Sequence, residues 1–551
     1  MKHIRIPFLV IALSLALTGM AFAKDVPGIS SWALRGGDIY AHVVGGVVPG
    51  TTAGGVGGGG TGLGDVLLAP LYDVRTITNP QLPGALGTAL QVQDTMFCIV
   101  NTDSNYGVVA RLRFREWKRS IECLDLDIPL TTRDVWCGEV ENVNGTPILY
   151  SKDRYVTNVA DPDFPVAGII DFTAGVVPTE GIPFKAYLIE GQDITRCQYG
   201  YFELIGEERV TWNAAKTIFY RIGADRDVDN VLMGNVYIIR PDQAISHQYN
   251  MTAIQNFAVD VRGIYSPPTG DRPNLPNDVQ GEHFAGGLAQ NPGNGGFNQL
   301  EALLSKRFVN FQYVVGTAPL AEDPSQTPMT TSVVVTLPTK WVHYLRAAPY
   351  TIKPIITWPG PTPYLGPYET PGDAPAASYG GEVFNYSLWD RDERAFGAPP
   401  IIPISPPPPS VPTIPILPYE VNILGLYPVY PAPAAPYFRN NSNIPTQNNT
   451  TPIQTFYSGW GFFDLSPAPG FMTGDPRGNN YTLGVARQGE NVALDAWSYF
   501  PNFSFYNNLF TTYRGLPAIG IVMTEFYNDA ITPNGGYFGN TVPWQYNVDW
   551  S

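Results

Sequence analysis

Residues 95–140 read TMFCIVNTDSNYGVVARLRFREWKRSIECLDLDIPLTTRDVWCGEV, and this stretch sets the fold class. Val108, Ala110, Leu112 and Phe114 alternate with Val109, Arg111, Arg113 and Arg115. A few residues on, Leu124, Leu126, Ile128 and Leu130 alternate with Asp125 and Asp127. A two-residue repeat puts one set on a buried face and the other in water. The two runs therefore read as neighbouring strands, with arginines on one beside aspartates on the next. Exposed cross-strand pairs of this kind contribute about 0.2–1 kcal/mol each. The competing reading of Arg111, Arg113 and Arg115 is a basic ligand patch, and the neighbouring acids argue against it.

Outward from this stretch the same pattern recurs. Short apolar or alternating runs at 66–68, 91–100, 135–140, 184–188, 209–212, 231–239, 333–337, 419–427, 459–465 and 493–500 are cut by Gly, Pro and Asn. Runs at this spacing suggest sandwiches or barrels. Residues 516–527, LPAIGIVMTEFY, form the most apolar run after the N-terminal segment and read as a central strand. The chain has 56 Gly and 53 Pro, residues that turns use and helix interiors do not tolerate. Aromatics at 13%, with 31 Tyr, argue for packed sheets rather than disorder. The expected class is mainly β: two or more antiparallel β-sandwich domains, Ig-like or jelly-roll-like, with few short helices and long Pro/Gly-rich loops. One helix is expected at 298–308, NQLEALLSKRF, where Asn298 and Glu301 are spaced as a capping box and Leu300, Leu303, Leu304 and Phe308 form a stripe.

The chain divides as follows. Residues 1–23 read as a secretory signal peptide: Lys2 and Arg5, an apolar run, and Ala21-Phe22-Ala23 at the cleavage site. Residues 24–65 hold a candidate strand followed by a Gly-rich linker. The phosphate-loop reading of that glycine tract fails, because no GK[ST] follows it. Residues 66–205 form a β-sandwich carrying all four cysteines. Residues 206–551 form a second β-rich region, interrupted by a Pro-rich crossover at about 398–437 with polyproline character. No later stretch reaches the ~20 apolar residues a spanning helix needs, so no membrane span is expected after signal cleavage.

Charge and cysteines narrow the function. The formal net charge is −15, and loss of Lys2 and Arg5 makes it more negative. Phosphates would be repelled, which excludes nucleic acid as a partner. Export permits disulfides among Cys98, Cys123, Cys137 and Cys197. Four cysteines allow three pairings, and sequence does not choose between them. Thiols holding a metal are the rival reading, but no CxxC spacing exists.

Chemistry-bearing motifs are sparse. Asp225, Asp227 and Asp229 are spaced as in a calcium loop. Asn230 stands where such loops carry Gly, and Val236 where they carry Glu, so a plain acidic turn competes with calcium. His42, His247, His283 and His343 are far apart, and none lies in a metal motif. HExxH, GxSxG and P-loop motifs are absent. Glu282-His283, in a Gly/Asn-rich loop, is the best isolated catalytic candidate, and a loop histidine satisfied by backbone or water is the commoner arrangement.

The segments CIVNTDSNYGVVARLRFREWKRS, DVWCGEV, VVVTLPTKWVHY, SPPPP, LPYEVNILG and YRGLPAIGIVMTEFYN together resemble a family of secreted, β-rich proteins of Gram-negative bacteria. The resemblance implies a cell-surface or extracellular-layer protein at the outer surface or in the periplasm, and it carries over no catalytic residue. The leading expectation is a secreted structural protein of a surface layer, matrix or filament that acts by self-association or with other envelope proteins. An extracellular carbohydrate- or peptide-binding module, with exposed Tyr and Trp as stacking platforms, is the alternative. A polysaccharide hydrolase with paired carboxylates ranks third.

Overall fold

The computed structural model describes residues 62–78, 90–153, 169–171, 181–187, 189–215, 218–221, 230–241, 245–254, 304–306, 308–317, 328–338, 382–390, 395–397, 416–417, 419–427, 442–445, 447–448, 454–455, 458–465, 513–514, 516–528, 536–543, 545–547 and 549–550. The signal peptide, the candidate strand and most of the glycine tract of 24–65, the run at 493–500 and most of the Pro-rich crossover lie outside them.

The protein is mainly β, with several antiparallel sheets packed in sandwich fashion. The longer strands are β1 (Val66–Asp73), β2 (Asp94–Asn101), β3 (Gly107–Glu116), β4 (Glu122–Leu130), β5 (Val135–Val143), β6 (Thr146–Tyr150), β7 (Tyr199–Trp212), β8 (Leu232–Arg240) and β9 (Ile245–Asn250). They continue with β10 (Phe308–Val314), β11 (Pro328–Thr336), β12 (Asn385–Asp390), β13 (Val421–Tyr427), β14 (Ser458–Asp464), β15 (Ile519–Asn528) and β16 (Gly536–Pro543). Short 3-10 turns at Glu190–Gln192 and Ile194–Gln198 lead into β7.

Four of the sheets make the body. In sheet I, β7 lies between β1 and β3, and β4 pairs beyond β3. Sheet II runs β6-β5-β2-β8-β9. Both sheets draw strands from beyond residue 205: β8 and β9 complete sheet II, and Ile218–Arg221 and Thr252–Ile254 join sheet I. Sheet III runs β13-β11-β15-β16, with Ser442–Pro445 added in parallel to β13. Sheet IV runs β12-β14-β10.

The alternation noted in sequence does fill the space between sheets I and II. Leu112 and Phe114 stand opposite Leu204 and Phe202 in register, so all four share one face. Phe97 of β2 meets Phe202 at 4.9 Å and Phe114 at 5.7 Å between ring centroids, with Trp136 beside it. Sheets III and IV repeat the plan, with Val333, Val335, Leu424 and Val522 against Phe311, Leu388 and Phe463. The residues between those of sheet III (Val334, Ile423, Ile521 and Met523) belong instead to the cluster that fills sheets I and II. Sheet III is therefore apolar on both faces. That is why LPAIGIVMTEFY lacks polar alternation, as expected of a central strand.

Two sequence expectations need correction. Arg111, Arg113 and Arg115 are not in water: they are 5%, 1% and 3% exposed. The pairing itself is as read, with Arg111 opposite Asp127 and Arg113 opposite Asp125. The burial arises because the second face of sheet I is covered too. The Tyr201 hydroxyl donates to the Pro338 carbonyl, the Thr336 hydroxyl to the Pro70 carbonyl, and the Val421 amide to the Trp117 carbonyl. The second correction concerns the helix at 298–308. Its C-terminal part is extended: Ser305–Lys306 pairs with Leu516–Pro517, and Phe308 opens β10. Residues 298–303 and 307 lie outside the described residues and Leu304 is helical; from Ser305 onward strand pairing replaces the helix.

Candidate functional site

The most organised polar constellation lies where sheet II meets sheet III. β8 alternates buried and half-buried positions, and its buried series (Leu232, Gly234, Val236, Ile238) ends on Arg240. Across the ladder His247 stands opposite Ile238 and is buried. On sheet III, Glu525 of β15 is 2% exposed, and Thr541 of β16 is paired with Met523. The four strands β8, β9, β15 and β16 bring one guanidinium, one imidazole, one carboxylate and one hydroxyl together. His247 Nε2 lies 2.7 Å from Glu525 Oε1, and His247 Nδ1 lies 3.1 Å from Thr541 Oγ1. Arg240 Nη2 lies 2.9 Å from the same carboxylate oxygen, and Arg240 Nε donates to Gln93 Oε1 at 3.1 Å.

The imidazole tautomer with its proton on Nε2 donates to Glu525 and leaves Nδ1 to accept from the Thr541 hydroxyl. Burial alone would raise the Glu525 carboxyl. Arg240 and the His247 hydrogen bond outweigh burial and hold it below its ordinary value. Hydroxyl, imidazole and carboxylate in sequence are the donor set of a general-base relay. Here, however, the carboxylate is shared with Arg240, and the imidazole is only 1% exposed. Such a relay needs its reacting atoms open to substrate. What this arrangement does is satisfy buried charge between two sheets, which makes it a fastener.

A second constellation occupies the covered face of sheet I. Arg113 pairs with Glu122 at 3.0 Å and with Glu203 at 3.3 Å, and Arg115 pairs with Glu203 at 3.0 Å. Arg111 pairs with Asp125. Burial and the Asp125 charge raise the Glu122 carboxyl, against the pull of Arg113. Such an array is expensive to bury and is tolerated because each charge faces an opposite one. The same geometry answers the ligand-patch reading of these arginines, since all three already face carboxylates inside the protein.

The four cysteines form Cys98–Cys137, which bridges directly opposed residues of β2 and β5, and Cys123–Cys197, which ties β4 to the 3-10 turn before β7. The two bonds indicate an oxidising, extracytoplasmic environment. Among the described residues no helix is long and apolar enough to cross a membrane.

No family model, curated protein or solved structure matches the chain.

Asp225, Asp227 and Asp229, the calcium candidates, lie outside the described residues, as do Glu282, His283, His42 and His343. Among the described residues no group of three or more His, Cys, Asp or Glu side chains is arranged to hold a metal ion. His247 is the one sequence-flagged histidine the structure describes. Its role was invisible in sequence, because Glu525 is 278 residues away and nothing local marks either partner.

Proposed function

We propose that the chain is an exported structural protein of a surface or extracellular layer of a Gram-negative bacterium, acting by self-association or with other envelope proteins. The observation that carries this reading is the buried join of sheets II and III at Arg240, His247 and Glu525. It fastens the two sandwiches to each other by charge as well as by apolar packing. The covalent ties at Cys98–Cys137 and Cys123–Cys197 brace the first sandwich. A stiff, cross-braced block of stacked sheets is what a load-bearing layer requires. The resemblance of segments such as CIVNTDSNYGVVARLRFREWKRS and YRGLPAIGIVMTEFYN to secreted, β-rich proteins of Gram-negative bacteria supports the same compartment.

The test is fractionation of the native host together with electron microscopy of the purified, processed protein. Enrichment at the outer surface and ordered sheets or filaments are the expected results. A strictly monodisperse monomer that is absent from the cell surface would overturn the reading.

A further inference from the structure

The outer face of sheet IV carries aromatic side chains that the core does not use. Along β14 the buried Gly461 and Phe463 alternate with the exposed Trp460 and the half-buried Phe462 and Asp464. Trp389 of β12 stands directly opposite Trp460, with ring centroids 4.5 Å apart. Trp389 also stacks on Phe462 at 5.4 Å and 21°, and Phe462 lies 5.9 Å from Trp460. On the other side Phe308 of β10 meets Phe462 edge-on at 5.8 Å. The rings run across three strands, overlapping in part, and Trp460 is 42% exposed.

Polar groups stand among these rings in register. Ser387 is opposite Phe462 on one flank. On the other flank, Asn310 is opposite Phe462 and the exposed Gln312 is opposite Trp460. Among the described residues this face combines aromatic, amide and hydroxyl groups with Asp464, and it includes no cation.

We propose that this face binds a neutral polysaccharide. A pyranose ring offers two apolar C–H faces and a rim of hydroxyls. The faces pack on indole and phenyl rings, and the hydroxyls pair with amide and hydroxyl side chains. Sheet IV presents both kinds of group within one cross-strand neighbourhood. Charge selects among the possible occupants. Asp464 and the net charge of −15 disfavour acidic glycans and anionic lipid, and a second copy stacked on this face would bring a further Asp464 to a surface with no described cation to meet it. A neutral polymer meets no such penalty. The inference does not depend on the structural role proposed above, since a monomer that never assembles would still carry the site.

The test is affinity electrophoresis of the full processed chain in native gels cast with hydroxyethylcellulose, mixed-linkage β-glucan, galactomannan or anionic alginate. At least one neutral polymer should retard the protein, and alginate should not. Trp460→Ala should weaken retardation about tenfold, the loss expected for one aromatic stacking contact. Gln312→Ala should weaken it less. Tyr187→Ala removes a side chain that is 69% exposed outside this face and should change nothing. Equal melting temperatures for wild type and variants would show that folding is intact. The proposal is overturned if no neutral polymer retards the protein, or if alginate binds as well as they do. It is also overturned if W460A keeps full affinity, if Y187A weakens binding as much as W460A, or if W460A changes sedimentation while leaving retardation intact.

Discussion

His247 Nε2 lies 2.7 Å from Glu525 Oε1, so one hydrogen bond links strands 278 residues apart and joins sheet II to sheet III. Removing the carboxylate leaves Arg240 and His247 buried with their shared acceptor gone. Glu525→Ala should destabilise the protein by about 3–5 kcal/mol, the usual cost of stranding one partner of a buried pair. Glu525→Gln keeps an acceptor and should cost less. Urea unfolding of both variants measures the difference, and equal stability of E525A and wild type would rule out a fastening role.

Acid should loosen the same join. The Glu525 carboxyl is held below its ordinary value of 4.5 in the fold. A group depressed in this way contributes its full stability above the unfolded value, and the contribution is lost as pH falls from there through the folded value. Glu122 works in the opposite sense: its raised carboxyl takes a proton more readily folded than unfolded and offsets part of the loss. Melting temperature should fall on acidification below about pH 4.5, and less steeply in E525Q than in wild type. Parallel curves for the two proteins would show that Glu525 does not set the acid limb.

Both disulfides should matter. Cys98–Cys137 closes 39 residues of chain and Cys123–Cys197 closes 74. Loop-closure entropy assigns each about 4 kcal/mol, with the longer loop slightly ahead. Peptide maps under non-reducing conditions should contain these two cross-links and neither alternative pairing. Thermal melts with and without reductant, and of the paired Cys→Ala variants, measure the contribution.

The buried array on sheet I should tolerate combined replacement of both partners better than the loss of one. Glu203 faces Arg113 at 3.3 Å and Arg115 at 3.0 Å. Glu203→Leu should cost about 3–5 kcal/mol by leaving two guanidiniums short of a counter-charge. Replacing Arg113 and Arg115 with Met in the same molecule should recover most of that loss. Chemical denaturation of the single and combined variants tests this, and additive losses would mean the charges do not act together.

Gly459 is fixed by its neighbour strand. A Cβ there would sit 1.8 Å from the Trp389 carbonyl oxygen. Gly459→Ala should therefore part β12 from β14 and destabilise sheet IV by about 1–3 kcal/mol or more. Amide hydrogen exchange localised to residues 385–390 and 458–464 checks it, and unchanged protection there would contradict the close approach.

Fold class was legible in the sequence because strand geometry writes itself locally. Leu112 and Phe114 face the core because every second side chain must, and glycine and proline mark where the ladders end. The same logic identified 516–527 as a central strand, since a segment covered on both faces has no polar set to show. Three things were not legible. The burial of Arg111, Arg113 and Arg115 depends on sheet I being covered on its second face as well, by contacts that come partly from residues beyond 330. The helix expected at 298–308 followed local capping and stripe signals, but pairing with Leu516–Pro517 and β14 decides the conformation of its C-terminal part. The join at His247 and Glu525, and the aromatic face of Trp389 and Trp460, exist only through strand register. By itself, then, the sequence determined periodicity, turns, and which cysteines were available. Tertiary structure decided which faces are dry, which charges meet and which cysteines pair, because those depend on distances between residues remote in the chain that no local pattern encodes.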